Sequence, residues 1–283
     1  MKVTFHGVRG SIPTPGPSTQ RYGGNTVCVE VRTADGSLII LDAGTGMRTL
    51  GQKLAAEGYQ QPMHMFITHR HWDHIIGLPF FDPLYKSDTR IVVHPFTAAG
   101  LAATEHPILF DGVHFPIRFE DIPAHIETLE GEEAETRIGS AVVRRISLNH
   151  PGGSNGFRID DDDGSSVCYL TDNELCPPGP VTTTPAALAK FAENAGLMIH
   201  DAQYLPVDMP AKRGWGHSLV SEVLELAKSA SAQRVALHHH EPERDDVALD
   251  KIGADASAWA RENAKGLDVL VAQEQLTVEL KPR

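Results

Sequence analysis

The feature that most constrains this chain is a short string, His69-Arg70-His71-Trp72-Asp73-His74, which follows directly on the apolar run Met63 to Ile67. The run reads as a buried strand, so the string sits on the loop at its end. Three imidazoles and a carboxylate crowded at a buried strand end are costly to desolvate without partners. A metal ion removes that cost, because neutral imidazole and carboxylate are preferred zinc ligands. Alternate residues of an extended loop face opposite sides and can therefore serve two ions. The remaining solitary histidines, His6, His64, His94, His106, His114 and His125, are expected to be structural. One segment cannot complete two four-coordinate sites. Further donors are available where other strands are expected to end: His150 after Ser147-Leu148-Asn149, Asp172 after Leu170-Thr171, and His238-His239-His240 after Leu237.

The rest of the chain alternates strand and helix patterns. Strands are expected at Lys2 to Gly7, Thr26 to Arg32, Leu38 to Leu41, Met63 to Ile67, Arg90 to His94, Ala141 to Leu148, Phe157 to Asp160, Ser166 to Leu170, Leu197 to His200, Arg234 to Leu237, Val269 to Ala272 and Leu276 to Leu280. Helices are expected at Thr45 to Ala56, Pro185 to Asn194, Ser218 to Ala230 and Ala248 to Ala264. The acidic run Asp160 to Asp163 before Gly164 reads as a hairpin turn. Two sheets packed face to face with helices outside suit this order, in one domain over residues 1–283. The N-terminus lacks a signal-peptide pattern and no stretch is long enough to span a bilayer, so the expected location is cytoplasmic. Three cysteines, Cys28, Cys168 and Cys176, show no CxxC spacing and indicate neither a disulfide scaffold nor a thiolate zinc site.

Leu41-Asp42-Ala43-Gly44-Thr45-Gly46, the HxHxDH string, His150, Asp172 and the late histidines together resemble the metallo-β-lactamase superfamily, in particular its branch of ribonuclease Z and small-molecule phosphodiesterases. The resemblance implies an α/β fold, the αββα four-layer sandwich. It implies that His69, His71 and His150 hold one metal, that Asp73, His74 and a C-terminal histidine hold a second, and that Asp172 bridges them. His239 is taken as that histidine because similar proteins place it two residues past the strand's last leucine; His240 is the alternative. His238 is expected to face the other way. For Asp42 the resemblance implies a role in orienting the metal loop, beside which a turn-forming or capping role stays open.

Similar phosphodiesterases carry an acidic residue and a Gly-His-Ser/Thr element where this chain has His200-Asp201-Ala202-Gln203 and Gly214-Trp215-Gly216-His217-Ser218. By resemblance, His217 protonates the leaving oxygen and Asp201 orients it. A poor alkoxide leaving group needs such an acid even when metals supply the nucleophile. The plain alternatives are a residue preceding a Ser218 cap and a structural Asp201. Asp73, His217 and Asp201 are thus the residues expected to carry the chemistry. Arg9 and the loop Arg21-Tyr22-Gly23-Gly24-Asn25 could bind phosphate or form an ordinary surface turn, and are left without a role.

The expected activity is hydrolysis of a small phosphodiester such as a cyclic nucleotide, by a hydroxide held by two divalent ions, zinc before manganese or iron. Ribonuclease Z relatives insert a basic arm between the counterparts of His150 and Asp172, where this chain has room only for a hairpin. With a formal net charge of −12, tRNA is expected to be excluded as a partner, as is a membrane. The resemblance also implies a homodimer. Rival readings are a mononuclear-iron sulfur dioxygenase, a lactone or thioester hydrolase on the same fold, and a non-catalytic binding protein.

Overall fold

The computed structural model describes residues 1–94, 109–129 and 135–281. Strands β1 (Lys2–Gly7), β2 (Cys28–Arg32), β3 (Leu38–Leu41), β4 (Met63–Phe66), β5 (Arg90–His94), β6 (His125–Thr128) and β14 (Thr277–Glu279) form one sheet. Its order is β14-β1-β2-β3-β4-β5-β6. Strands β7 (Glu135–Ile138), β8 (Ala141–Leu148), β9 (Ser154–Asp161), β10 (Ser166–Leu170), β11 (Leu197–Asp201), β12 (Arg234–His238) and β13 (Asp268–Val271) form the other, in the order β13-β12-β11-β10-β9-β8-β7. The helices are α1 (Met47–Glu57), the single turn α2 (Trp72–Ile75), α3 (Pro185–Phe191), α4 (Val220–Ser229) and α5 (Asp246–Asn263).

Side-chain alternation explains the four layers. On β3, Ile39 and Leu41 join Phe5, Val29, Phe157, Ile159, Tyr169 and Ile199 in the core between the sheets. Leu38 and Ile40 point the other way, onto Met47, Leu50 and Leu54 of α1. The second sheet does the same: Met198, Val235 and Leu237 pack outward under Leu188, Val223 and Leu226 of α3 and α4. A strand covered on both faces must be apolar throughout, which is why Leu38-Ile39-Ile40-Leu41 shows no polar alternation. This is the αββα sandwich expected from the sequence.

Most expected elements are present with shifted ends. Helix α3 stops at Phe191 rather than running to Asn194, because Asn194 has a φ of 58° and cannot continue it. Strand β9 begins at Ser154, three residues before the expected Phe157, since its antiparallel pairing with β8 extends to Leu148 opposite Ser154. Strands β6 and β7 were not anticipated: they lie on the sheet edges, half exposed, with weak alternation. The acidic run does form the tight turn between β9 and β10, with Gly164 at a φ of 82°.

Strands β3 to β6 run parallel, as do β10 to β13. Strand β8 is antiparallel to β9, which is antiparallel to β10, so β8 and β10 share a direction. The C-terminal ends of β8, β10, β11 and β12 therefore open on one edge of their sheet, the usual place for a ligand in such sheets. Among the described residues no helix is long and apolar enough to cross a membrane.

Candidate metal centre

Five of the polar residues singled out in the sequence stand just beyond the end of a strand. Asp42 follows β3, His69 follows β4, His150 follows β8, Asp172 follows β10, and His239 follows β12. Asp42, Asp172 and His239 take positive φ values of 61°, 55° and 57°. Non-glycine residues rarely do so, at a cost of about 1–3 kcal/mol each. The strain turns the chain sharply, so that each side chain faces the sheet edge that its strand has just left.

Besides an overlapping set of Asp172, Asp201, His217 and His239, two donor groups result: His69, His71, His150 and Asp172 form the first, and Asp73, His74, Asp172 and His239 the second. Asp172 belongs to both through different oxygens. Its Oδ2 lies 3.6 Å from His69 Nε2 and 3.7 Å from His150 Nε2. Its Oδ1 lies 3.2 Å from His74 Nε2 and 3.1 Å from His239 Nε2. Asp73 Oδ2 is 3.3 Å from His74 Nε2 and 3.1 Å from His239 Nε2, while His150 Nε2 and His71 Nδ1 are 3.1 Å apart. Metal–nitrogen bonds of about 2.0–2.1 Å at tetrahedral angles separate donors by about 3.3 Å, close to these spacings. The Nε2 atoms of His69 and His74 are buried with no hydrogen-bond partner in line. Buried nitrogens left open amid carboxylates fit a divalent cation at this position.

The other ring nitrogens are held. His74 Nδ1 lies 2.9 Å from Asp42, whose carboxylate also accepts from Thr68 N, Thr68 Oγ1 and the Tyr169 hydroxyl. Thr68 Oγ1 is 3.0 Å from His69 Nδ1, Gln203 Oε1 accepts from His239 Nδ1 at 2.9 Å, and the Gly216 carbonyl accepts from His150 Nδ1 at 3.0 Å. Ser11 N donates to Asp73 Oδ2 at 2.7 Å. Such partners fix the tautomer and aim of a ligating imidazole. A side chain at Gly216, where φ is 90°, would collide with the His150 ring, its Cβ only 2.1 Å from Nδ1. Asp42 therefore bonds to the metal loop and caps no helix: α1 begins after Gly46 without a side-chain cap.

Charge settles around these bonds. Burial disfavours the ionised form of Asp172, but the imidazoles of His239, His74 and His69 outweigh it and hold the carboxyl well below the usual range. Asp73 is likewise held low against burial by His74 and His239. Burial would lower His74, yet Asp172, Asp73 and Asp42 raise it well above an ordinary histidine. At His69 and His150 burial prevails and both are lowered.

Asp201 and His217 meet beside the two groups. His217 Nδ1 is 3.0 Å from Asp201 Oδ2, and Asp201 also accepts from the backbone nitrogens of Asn173 and Ser218. The His217 ring stacks on His239, with centroids 4.9 Å apart, and meets His150 edge-on. Burial opposes charge on His217, but Asp201 outweighs it and raises the imidazole above its ordinary value.

Other histidines stay away. His238 Nε2 bonds the Gly7 carbonyl, and His240 Nε2 bonds the Ala272 carbonyl, each pushed by burial down to about 3. His6 pairs with Glu30, His64 with His94, and His114 with Asp111; His125 is exposed on β6, and His106 lies outside the described residues. Arg9 is neither a phosphate ligand nor a surface turn: it is fully buried, and its guanidinium donates to the carbonyls of Gly23, Glu241 and Arg244. Arg21 forks onto Asp250. Thr68, Gln203 and Ser11 were missed in the sequence. Gln203 lies two residues past the end of β11, and that position is the one hint of its role in the sequence.

A family model described as Beta-lactamase superfamily domain matches residues 38–240. A curated relative from Haloarcula marismortui, named Ribonuclease Z, is 27% identical over 289 residues, covering 84% of this chain and 86% of its own length. The metallo-beta-lactamase fold protein YhfI from Bacillus subtilis is 19% identical with a TM-score of 0.69, covering 98% of each chain. Human tRNase Z, short form, is 22% identical with a TM-score of 0.65, covering 99% of each chain. These structures share the fold.

The expectation that tRNA is excluded as a partner is overturned here, since the relatives spanning most of this chain are named Ribonuclease Z and a neighbour in fold is a tRNase Z. The physical error lay in using net charge. It sums the whole surface, whereas a ligand meets only the cleft it enters, and Arg70 and Arg145 line the cleft that takes in His69 and His71. A missing arm removes one way of holding RNA and leaves the others.

Proposed function

This chain belongs to the beta-lactamase superfamily, and from that premise we propose that it is a phosphodiesterase using two divalent metal ions, zinc in the first place. The observation that carries this reading is the division of Asp172 between two donor groups in which the Nε2 atoms of His69 and His74 have no hydrogen-bond partner. His69, His71, His150 and Asp172 would hold one ion, and Asp73, His74, His239 and Asp172 the other. When bound, such a pair supplies a hydroxide at neutral pH and neutralises charge on a phosphoryl group.

The chain's own residues supply the rest. Asp201 is anchored by two backbone nitrogens, so its carboxylate cannot turn away from His217. That bond occupies Nδ1 and leaves Nε2 of His217 to give its proton to the leaving oxygen. The Asp201 carboxylate raises the proton affinity of His217 above that of an ordinary histidine, the direction a general acid requires. Burial of Asp201 and His217 keeps bulk water from competing for the bond between them.

The bond cleaved is a phosphodiester; a 3′,5′-cyclic nucleotide is one candidate substrate, and the relatives named Ribonuclease Z set RNA beside it. The test couples elemental analysis of the purified protein with turnover of bis(p-nitrophenyl) phosphate, 3′,5′-cyclic nucleotides and a precursor tRNA. About two zinc ions per chain with diester turnover supports the proposal. One iron with no diester turnover would overturn it.

A further inference from the structure

Arg144 and Arg145 are neighbours on β8 and point to opposite faces of the sheet. Arg144 is paired, with Nε 3.1 Å from Glu135 and Nη1 2.8 Å from Asp160. Arg145 forms no side-chain hydrogen bond, ion pair or ring contact among the described residues. In a chain with 37 acidic and 25 basic residues, a half-buried arginine with no carboxylate partner among the described residues is unusual. Desolvating it costs free energy that no bond among the described residues returns.

Arg145 lines a cleft of about 690 Å³ that also takes in His69 and His71 of the first donor group. That volume holds more than one phosphoryl group, since ligand pockets run from about 300 to 1,000 Å³. The turn after His150 closes another side. Gly152 and Gly153 have φ values of 84° and 86°, and a Cβ on either would meet nothing within 4 Å, so the peptide groups stay open to the cleft. Next to them Ser154 is 4% exposed, and its Oγ has no hydrogen-bond partner. An unpaired guanidinium, a bare glycine turn and an unpartnered hydroxyl on one cleft share a single complement, a phosphate group.

We propose that Arg145, with the Gly152–Ser154 turn, forms an anion subsite that selects substrates carrying a second phosphate next to the scissile diester, as an oligonucleotide does. The subsite rests on the phosphodiesterase reading above. Guanidinium binds phosphate in two parallel bonds, so one additional phosphate is the unit that it recognises.

The test uses metal-loaded protein and two esters that differ by one phosphate: thymidine 5′-(p-nitrophenyl phosphate), with and without a 3′-phosphate. The 3′-phosphorylated ester is expected to have a KM lower by about tenfold, the value of one charge-assisted bond. Arg145→Met should abolish that preference, and Arg145→Lys should restore part of it, which a merely misfolded variant would not. No preference in the natural chain, or a preference that survives Arg145→Met, would overturn the subsite. Calorimetric binding of thymidine 3′,5′-bisphosphate against thymidine 5′-monophosphate separates the two claims. If neither ester is cleaved while bisphosphate selectivity still depends on Arg145, the phosphodiesterase reading falls and the subsite stands.

Discussion

Two buried carboxylates in this protein are surrounded by nitrogen, and they differ in how the surroundings end. Glu30 on β2 accepts from His6 at 2.9 Å, Lys53 at 2.7 Å and Arg32 at 2.7 Å. Burial favours its neutral form, but these three donors outweigh it and bring the carboxyl down to about 2. Both oxygens are used, and none of the donor nitrogens is left open. Asp172 is buried as deeply and is also held low, by imidazoles. Around it, however, His69 and His74 keep nitrogens with no partner in line. The first cluster is complete within the chain and serves the fold. The second leaves two buried nitrogens open among carboxylates, and that marks it as the place where a cation would bind.

The comparison can be broken most severely at Asp172. Asp172→Asn removes the oxygen charge shared by both donor groups, so bound metal should fall and kcat/KM should drop by about a thousandfold or more. Elemental analysis beside turnover measures both, and a variant with full metal and ordinary turnover would end the distinction between the clusters. Next in size is His217→Asn, which leaves both donor groups intact. Metal content should stay near that of the natural chain while turnover of alkoxide esters slows by about 100- to 1,000-fold. Nitrophenolate esters, whose leaving group needs little protonation, should lose much less; equal losses would remove the general-acid role.

Glu30→Gln tests the complete cluster. Breaking a buried, multiply paired carboxylate should lower stability by about 3 kcal/mol, with activity per folded molecule unaltered. Because the folded-state value lies near 2 and the ordinary value is 4.5, Glu30 contributes fully above about pH 4.5. Its contribution is lost as pH falls from there towards 2. Urea unfolding at pH 7 and pH 3 should therefore show a large difference between the two proteins at the higher pH and a small one at the lower. The smallest effect is expected from Arg21→Ala, which breaks the exposed fork onto Asp250. Urea unfolding should scarcely change, and a clear loss of stability would mean that the loop it ties down supports the centre.

Much of this molecule was legible in its sequence, and the reason is local. A strand buried on both faces must be apolar along its length, and an amphipathic helix must repeat every three or four residues, so sheets and helices announced themselves. Polar residues at the ends of apolar runs, His69 to His74, His150, Asp172 and the histidines after Leu237, stood out because burial there without partners is costly. Which of those histidines turns towards the centre was decided by the fold: His239 takes a φ of 57° and meets Asp73 and Asp172, while His238 and His240 find carbonyls elsewhere. The holding bonds were not legible at all. Tyr169 reaches Asp42 across 127 positions of chain, Gly216 reaches His150 across 66, and Ser11 reaches Asp73 across 62. Arg9, buried and bonded to three carbonyls, and Arg145, half-buried and unpaired among the described residues, are indistinguishable as letters. The sequence by itself determined which segments pair and which groups need partners; only the packing of one sheet on the other determined who the partners are, because hydrogen bonds and charges act over a few ångströms in space and carry no mark in the order of the chain.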